Sequence, residues 1–187
     1  MRHVISALVI NEPGVLANVA GMFAARGFNI DSLVVGRTED PSRSRMTIVV
    51  NADDNTLEQV RKKLGKLVPV VQVHDFNNTA YIERDLSLIT VSATAANRGE
   101  VIEVVNLFRG KVVDVAPQSI VVELGGTEQK IEAFIELMRP YGIRELARTG
   151  VIAVSRGMQA EPKATGPSTK ARKRSLDAAP TQALPPS

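Results

Sequence analysis

Residues 101–124 read VIEVVNLFRGKVVDVAPQSIVVEL, and the hydrophobic period changes within this stretch. Val101, Val104, Val105 and Phe108 fall at i, i+3, i+4 and i+7, the stripe of an α-helix, and Gly110 ends it. Two runs rich in Val and Ile follow at 111–116 and 119–124, the composition of β-strands. A strand-like run at 86–93 precedes the helix. Downstream, Ile131, Phe134, Ile135 and Met138 make another helical stripe, opened by Thr127 as a cap and stopped before Pro140, and 143–154 reads as a strand. The order is β-α-β-β-α-β, a ferredoxin-like module.

The first half of the chain repeats this order. Strand candidates lie at 3–10, 29–37, 45–51 and 70–76. Leu16, Val19, Ala20 and Phe23 form one helical stripe, with Gly27 at the place of a left-handed C-terminal cap. Leu57, Val60, Leu64 and Leu67 form a second, with Asn55 and Glu58 at capping-box spacing. The fold class is therefore α+β, two tandem ferredoxin-like βαββαβ modules: 1–76, a linker at 77–85, and 86–156. In each, two helices cover one face of a four-stranded sheet, which leaves the other face free for a partner or ligand.

The chain has 187 residues, 44% hydrophobic and 23% charged, enough for two small modules with real cores. No apolar run approaches the roughly 18 residues of a membrane span, and Val4 to Ile10 follows no basic leader, so a cytoplasmic protein is expected. The net charge of +3 resides wholly in 157–187, where Lys163, Lys170, Arg172, Lys173 and Arg174 face only Glu161 and Asp177. That stretch also holds five of the ten prolines and no aromatic residue, which predicts a disordered basic tail.

Residue supply narrows the chemistry. Without cysteine there are no disulfides, thiolate metal sites or cysteine nucleophiles, and only His3 and His74 are available as imidazoles. The strand Met46-Thr-Ile-Val-Val50 lacks the aromatics on which an RNA-binding sheet stacks bases. Gly125-Gly126 lacks the spacing of a phosphate loop and reads as a turn. His74 and Asp75 are strand neighbours that point to opposite faces, so they make no acid-base pair. Asp53, Asp54 and Asp85 sit where carboxylates cap helices or solvate turns. Neither a catalytic set nor a metal site is expected.

Asn11-Glu-Pro-Gly-Val-Leu16, between the first strand and first helix, is the chemically suggestive segment. Pro13-Gly14 suits the centre of a type II turn, and the N–H groups after it open a helix, a small site for a carboxylate. The Asn11 amide can accept from an ammonium group, so the segment suits a free amino acid. The same residues also suit a plain strand-to-helix turn.

Taken in order, Asn11 to Leu16, Arg26-Gly-Phe-Asn-Ile-Asp-Ser-Leu33 and Ser44-Arg-Met-Thr-Ile48 resemble the ACT domain of the small regulatory subunits of acetolactate (acetohydroxyacid) synthase. The resemblance continues through Phe108-Arg-Gly-Lys111, Val113-Asp-Val115 and Arg148-Thr-Gly-Val151 and ends near Gly157. It implies an N-terminal ACT domain that binds an amino-acid effector and a C-terminal ACT-like domain. It further implies a non-catalytic homodimer that activates a large catalytic subunit in valine, leucine and isoleucine biosynthesis and confers feedback inhibition by valine. No cofactor is expected in this chain; thiamine diphosphate, magnesium and FAD are expected on the catalytic partner. Carried over by motif, Asn11, Gly14, Val15 and Leu16 supply the effector site from one chain, and Asn29 and Ile30 reach in from the other. An alternative is an ACT-type amino-acid-sensing transcriptional or nucleic-acid-binding regulator that uses the basic run Lys170 to Arg174 as its arm.

Overall fold

The computed structural model describes residues 1–77 and 79–157. The tail read as disordered, with the basic run on which the nucleic-acid alternative rests, lies outside the described residues. The first module contains β1 (Arg2–Ile10), α1 (Val15–Ala24), β2 (Ser32–Arg37), β3 (Arg43–Asn51), α2 (Asp54–Leu64) and β4 (Val70–Asp75). The second contains β5 (Tyr81–Ser92), α3 (Arg98–Leu107), β6 (Lys111–Ala116), β7 (Ser119–Gly126), α4 (Glu128–Met138), β8 (Ile143–Arg148) and β9 (Ile152–Ser155). The sheets have orders β2-β3-β1-β4 and β6-β7-β5-β8, with every pair antiparallel. This is the ferredoxin-like arrangement twice over.

Strand alternation fixes which side is buried. Ile5 pairs with Ile48 and Ala7 with Met46, so these residues share one face and pack on Val15, Val19, Met22 and Phe23 of α1 and Leu57, Val60 and Leu64 of α2. In the second module Ile89, Val91, Ile120 and Val122 meet Val101 and Val105 of α3 and Ile131, Phe134, Ile135 and Met138 of α4. Each fully buried aliphatic side chain contributes about 1.5–3 kcal/mol relative to exposure. Leu16 proves half exposed, and the buried stripe of α1 runs instead through Val15, Val19, Met22 and Phe23.

Several boundaries differ from expectation for local reasons. The strand expected over 29–37 starts at Ser32, because Gly27 at φ +66° and a Phe28 N–H to Phe23 carbonyl bond of 3.1 Å terminate α1 in a wide loop. Asp53, not Asn55, caps α2, accepting from the Thr56 N–H at 2.7 Å. Arg109 takes the left-handed position after α3, at φ +54°; a Cβ on Gly110 would stand 3.1 Å from Val105 Cγ1 and 3.3 Å from the Glu123 carbonyl. Gly125 and Gly126 end β7 rather than forming a turn. Strand β5 begins at Tyr81, inside the segment read as a linker, because 81–84 pair with β9.

That pairing also changes the reading of the open sheet face. The strand expected over 143–154 breaks at Thr149-Gly150-Val151, with Gly150 at φ +86°, and β9 resumes against the first half of β5. Val151 and Ala153 then bury Val4 and Val49 on the open face of the first sheet, together with Phe76 and partly buried Tyr81. This face is therefore partly occupied by the second module. Arg2 adds polar contacts across the junction, with Glu83 at 2.9 Å and with Glu128 on α4. Among the described residues, no helix is long and apolar enough to cross a membrane.

Candidate functional site

The junction of β1 and α1 is built on Asn11. Its backbone N–H donates to the Ser42 carbonyl at 2.8 Å and its Nδ2 donates to the Pro41 carbonyl at 3.0 Å. The Ser44 hydroxyl donates to Asn11 Oδ1 at 3.2 Å, leaving that oxygen one lone pair for another donor. The loop supplying those carbonyls is itself braced, since Asp40 Oδ1 accepts from the Ser42 hydroxyl at 2.6 Å and the Ser42 N–H at 2.9 Å. Hydrogen bonding by Ser42, with Arg43 nearby, holds the Asp40 carboxyl below its usual range.

The turn after Asn11 has the expected form. Gly14 has φ +85° and ψ −13°, the third-residue geometry of a type II turn, and the Val15 N–H points to the Glu12 carbonyl at 3.5 Å. Gly14 is also the N-cap of α1, and no side chain caps that helix end or places an acid in its first turn. Its N–H groups and dipole therefore favour an anion in front of the turn. A Cβ on Gly14 would have nothing within 4 Å, so this side of the turn is open space. Val15 points into the core while Leu16 lies half exposed beside the helix start.

Asn29 and Ile30 lie elsewhere in the same chain. They follow the far end of α1, and a ten-residue helix is about 15 Å long. Asn29 is exposed and its Nδ2 donates to Asp31 Oδ1 at 3.0 Å; Ile30 is half-buried and packs on the first core. The fold thus brings Asn11, Gly14, Val15 and Leu16 together and keeps Asn29 and Ile30 apart from them.

Two sets of residues were missed by sequence reading. Pro41, Ser42 and Ser44 orient Asn11, and the only signal was Ser44 at the head of a family-like motif. Asp85, read as a boundary carboxylate, lies buried within β5, where Arg148 Nε donates to it at 2.9 Å and Thr149 Oγ1 at 3.3 Å. Arg148 also pairs with Glu132 of α4. Burial opposes the Arg148 charge, but its bonds to Asp85 and Glu132 outweigh that and hold it protonated above the usual arginine range. His74 lies edge-on to Phe76 and 3.4 Å from the Ser155 hydroxyl, while Asp75 accepts from the Asn77 N–H. No group of three His, Asp or Glu among the described residues is placed to hold a metal ion.

Two family models cover nearly all of the described chain. Residues 5–72 match the AHAS small subunit-like ACT domain, and residues 84–157 match the small subunit of acetolactate synthase. A probable acetolactate synthase small subunit from Archaeoglobus fulgidus is 53% identical over 157 residues, 84% of this chain and 98% of that protein. The acetolactate synthase small subunit of Mycolicibacterium smegmatis is 51% identical over 155 residues, 83% of this chain and 91% of its own length. The crystal structure of the acetolactate synthase small subunit from Thermotoga maritima superposes with a TM-score of 0.77 at 42% identity, covering 84% of this chain and 98% of that one. On two module matches in the right order and one superposition spanning both modules, this chain belongs to the acetolactate synthase small-subunit family.

Proposed function

We propose that this chain is the regulatory subunit of an acetolactate synthase, activating a large catalytic subunit and making it subject to feedback inhibition by valine in branched-chain amino-acid biosynthesis. The reaction and its cofactors, thiamine diphosphate, magnesium and FAD, reside on the large subunit. The effector binds between two copies of the ACT module. Its carboxylate lies at the uncapped start of α1 beyond Gly14, and its ammonium group meets the free lone pair of Asn11 Oδ1. Asn29 and Ile30 of the second copy complete the pocket. Leu16 and Ile30 form an apolar wall for a branched side chain; one methylene is worth about 1–3 kcal/mol, so valine is preferred over leucine and isoleucine by degree.

The observation that carries this reading is the Gly14 turn, an open, uncapped helix start next to the Asn11 amide, whose orientation is fixed by two hydrogen bonds of its own and one of the Asn11 backbone N–H. Inhibition follows by linkage. A ligand held between two protomers stabilises the arrangement that forms the pocket, and it inhibits to the extent that this arrangement activates less well. A coupling of about 1–3 kcal/mol suffices for several-fold to over hundredfold control. The test is association: the cognate large subunit, mixed untagged with a tagged form of this chain, should co-purify and gain activity. A large subunit that neither binds nor changes rate rejects the proposal.

A further inference from the structure

We infer that the turn Arg148-Thr-Gly-Val151 is the relay by which occupancy of the effector site in the first module is felt by the second, with Ser32 as the positioning residue on the sensing side. The inference rests on the effector reading above and adds the route by which that site acts.

Ser32 is the first residue of β2 and follows Asn29-Ile30-Asp31 without a break. The Asn29 amide donates to Asp31, and the Asp31 N–H donates to the Val49 carbonyl at 2.9 Å. Val49 is also the cross-strand partner of Ser32. A ligand that engages Asn29 therefore acts on a short, hydrogen-bonded segment ending at Ser32. The Ser32 hydroxyl oxygen accepts the Val151 N–H at 3.2 Å, a bond between residues of different modules.

The contact has no slack. A Cβ on Gly150 would stand 2.6 Å from Ser32 Oγ and 3.0 Å from Val34 Cγ2, and Gly150 has φ +86°. Glycine is thus required there for both conformation and close approach. Val151 and Ala153 complete the contact by burying Val49 and Val4. A displacement of Ser32 must either carry the turn with it or break the Val151 bond, because packed contacts of this kind do not stretch. That bond, made or broken, is the two-state element that coupling requires.

On its other side the turn is fastened to the second module. The Thr149 N–H donates to the Leu86 carbonyl at 2.9 Å, and the Leu86 N–H donates to Thr149 Oγ1 at 3.1 Å. Arg148 holds buried Asp85 and reaches Glu132 on α4. Movement of the turn is thereby passed to β5 and α4 together.

The test separates binding from response. In the holoenzyme, Ser32→Ala and, separately, Gly150→Ala should bind valine at least as tightly as wild type by calorimetry, since uncoupling frees binding from the shift it otherwise drives, while inhibition at saturating valine falls to less than half its wild-type extent. A variant-free measurement runs beside it: in the wild-type holoenzyme, valine should change amide hydrogen exchange both in 28–34 and in 147–153. Unaltered inhibition in both variants, or exchange that responds only in 28–34, overturns the relay and leaves the effector site standing. Loss of valine binding in both variants makes Ser32 and Gly150 part of the site itself and also overturns the relay. Absence of valine binding to wild type removes the effector reading and the relay together.

Discussion

Gly14 and Asn29 stand at opposite ends of α1, Gly14 as its N-cap and Asn29 in the loop beyond Ala24. A free amino acid is far shorter than the helix, so one chain cannot present both residues to one ligand. If both contribute to a single site, the site belongs to two chains.

The first expectation is therefore a dimer. Light scattering at micromolar concentration should give about twice the 20.2 kDa chain mass. A monomer with and without valine would contradict the shared site.

Gly14→Asp and Asn29→His should abolish valine inhibition while sparing most activation. At Gly14 the obstacle is conformational and electrostatic, not crowding, since a Cβ there meets nothing within 4 Å but φ is +85°. A carboxylate about 4 Å from the ligand carboxylate costs on the order of 1–4 kcal/mol, at least about fivefold in affinity. Valine titration of the reconstituted enzyme reads this directly; wild-type inhibition in both variants would remove these residues from the pocket.

The Asp85–Arg148 pair should behave as a buried charge pair in a thermodynamic cycle. Arg148→Met leaves the Asp85 carboxylate buried without its cation and should cost about 3–5 kcal/mol by urea unfolding. Adding Asp85→Leu should recover most of that loss, because apolar replacement of both partners removes the uncompensated charge. Additive losses in the double variant would show that the two side chains act independently.

The Asn11 cradle should be pH-dependent at its low end. The folded-state pKa of Asp40 is depressed below its ordinary value near 3.8, chiefly by the Ser42 hydrogen bonds. Its contribution to holding the 38–42 loop is thus fully present above that ordinary value and is lost as pH falls through the lowered folded value. The Ser42 amide resonance should report this step, and Asp40→Asn should abolish it. A Ser42 amide step unchanged in Asp40→Asn would assign the titration to another group.

The modular architecture was legible because period and order carry it. Val101, Val105, Ile131 and Phe134 recur at helical spacing, and strand runs flank them in the same order twice. Phase was less legible: Leu16 fits the stripe of α1 as well as Val15 does, and it is Val15 that the fold turns inward. The Gly14 turn could be read from Pro-Gly alone, since its geometry is local. The cradle of Asn11 could not, because Pro41, Ser42 and Ser44 come from a distant loop. Asp85 and the turn at Gly150 were illegible for the same reason. Pairing between 85 and 148, or between 32 and 151, leaves no period in the sequence.

The most direct measurement is acetolactate formation by the cognate large subunit, titrated with this chain to stoichiometry, with and without valine. The rate should rise and saturate near equimolar ratio, and inhibition by valine should appear only when this chain is present. An unchanged rate across the titration, or valine inhibition that is the same with and without this chain, would contradict the proposed function.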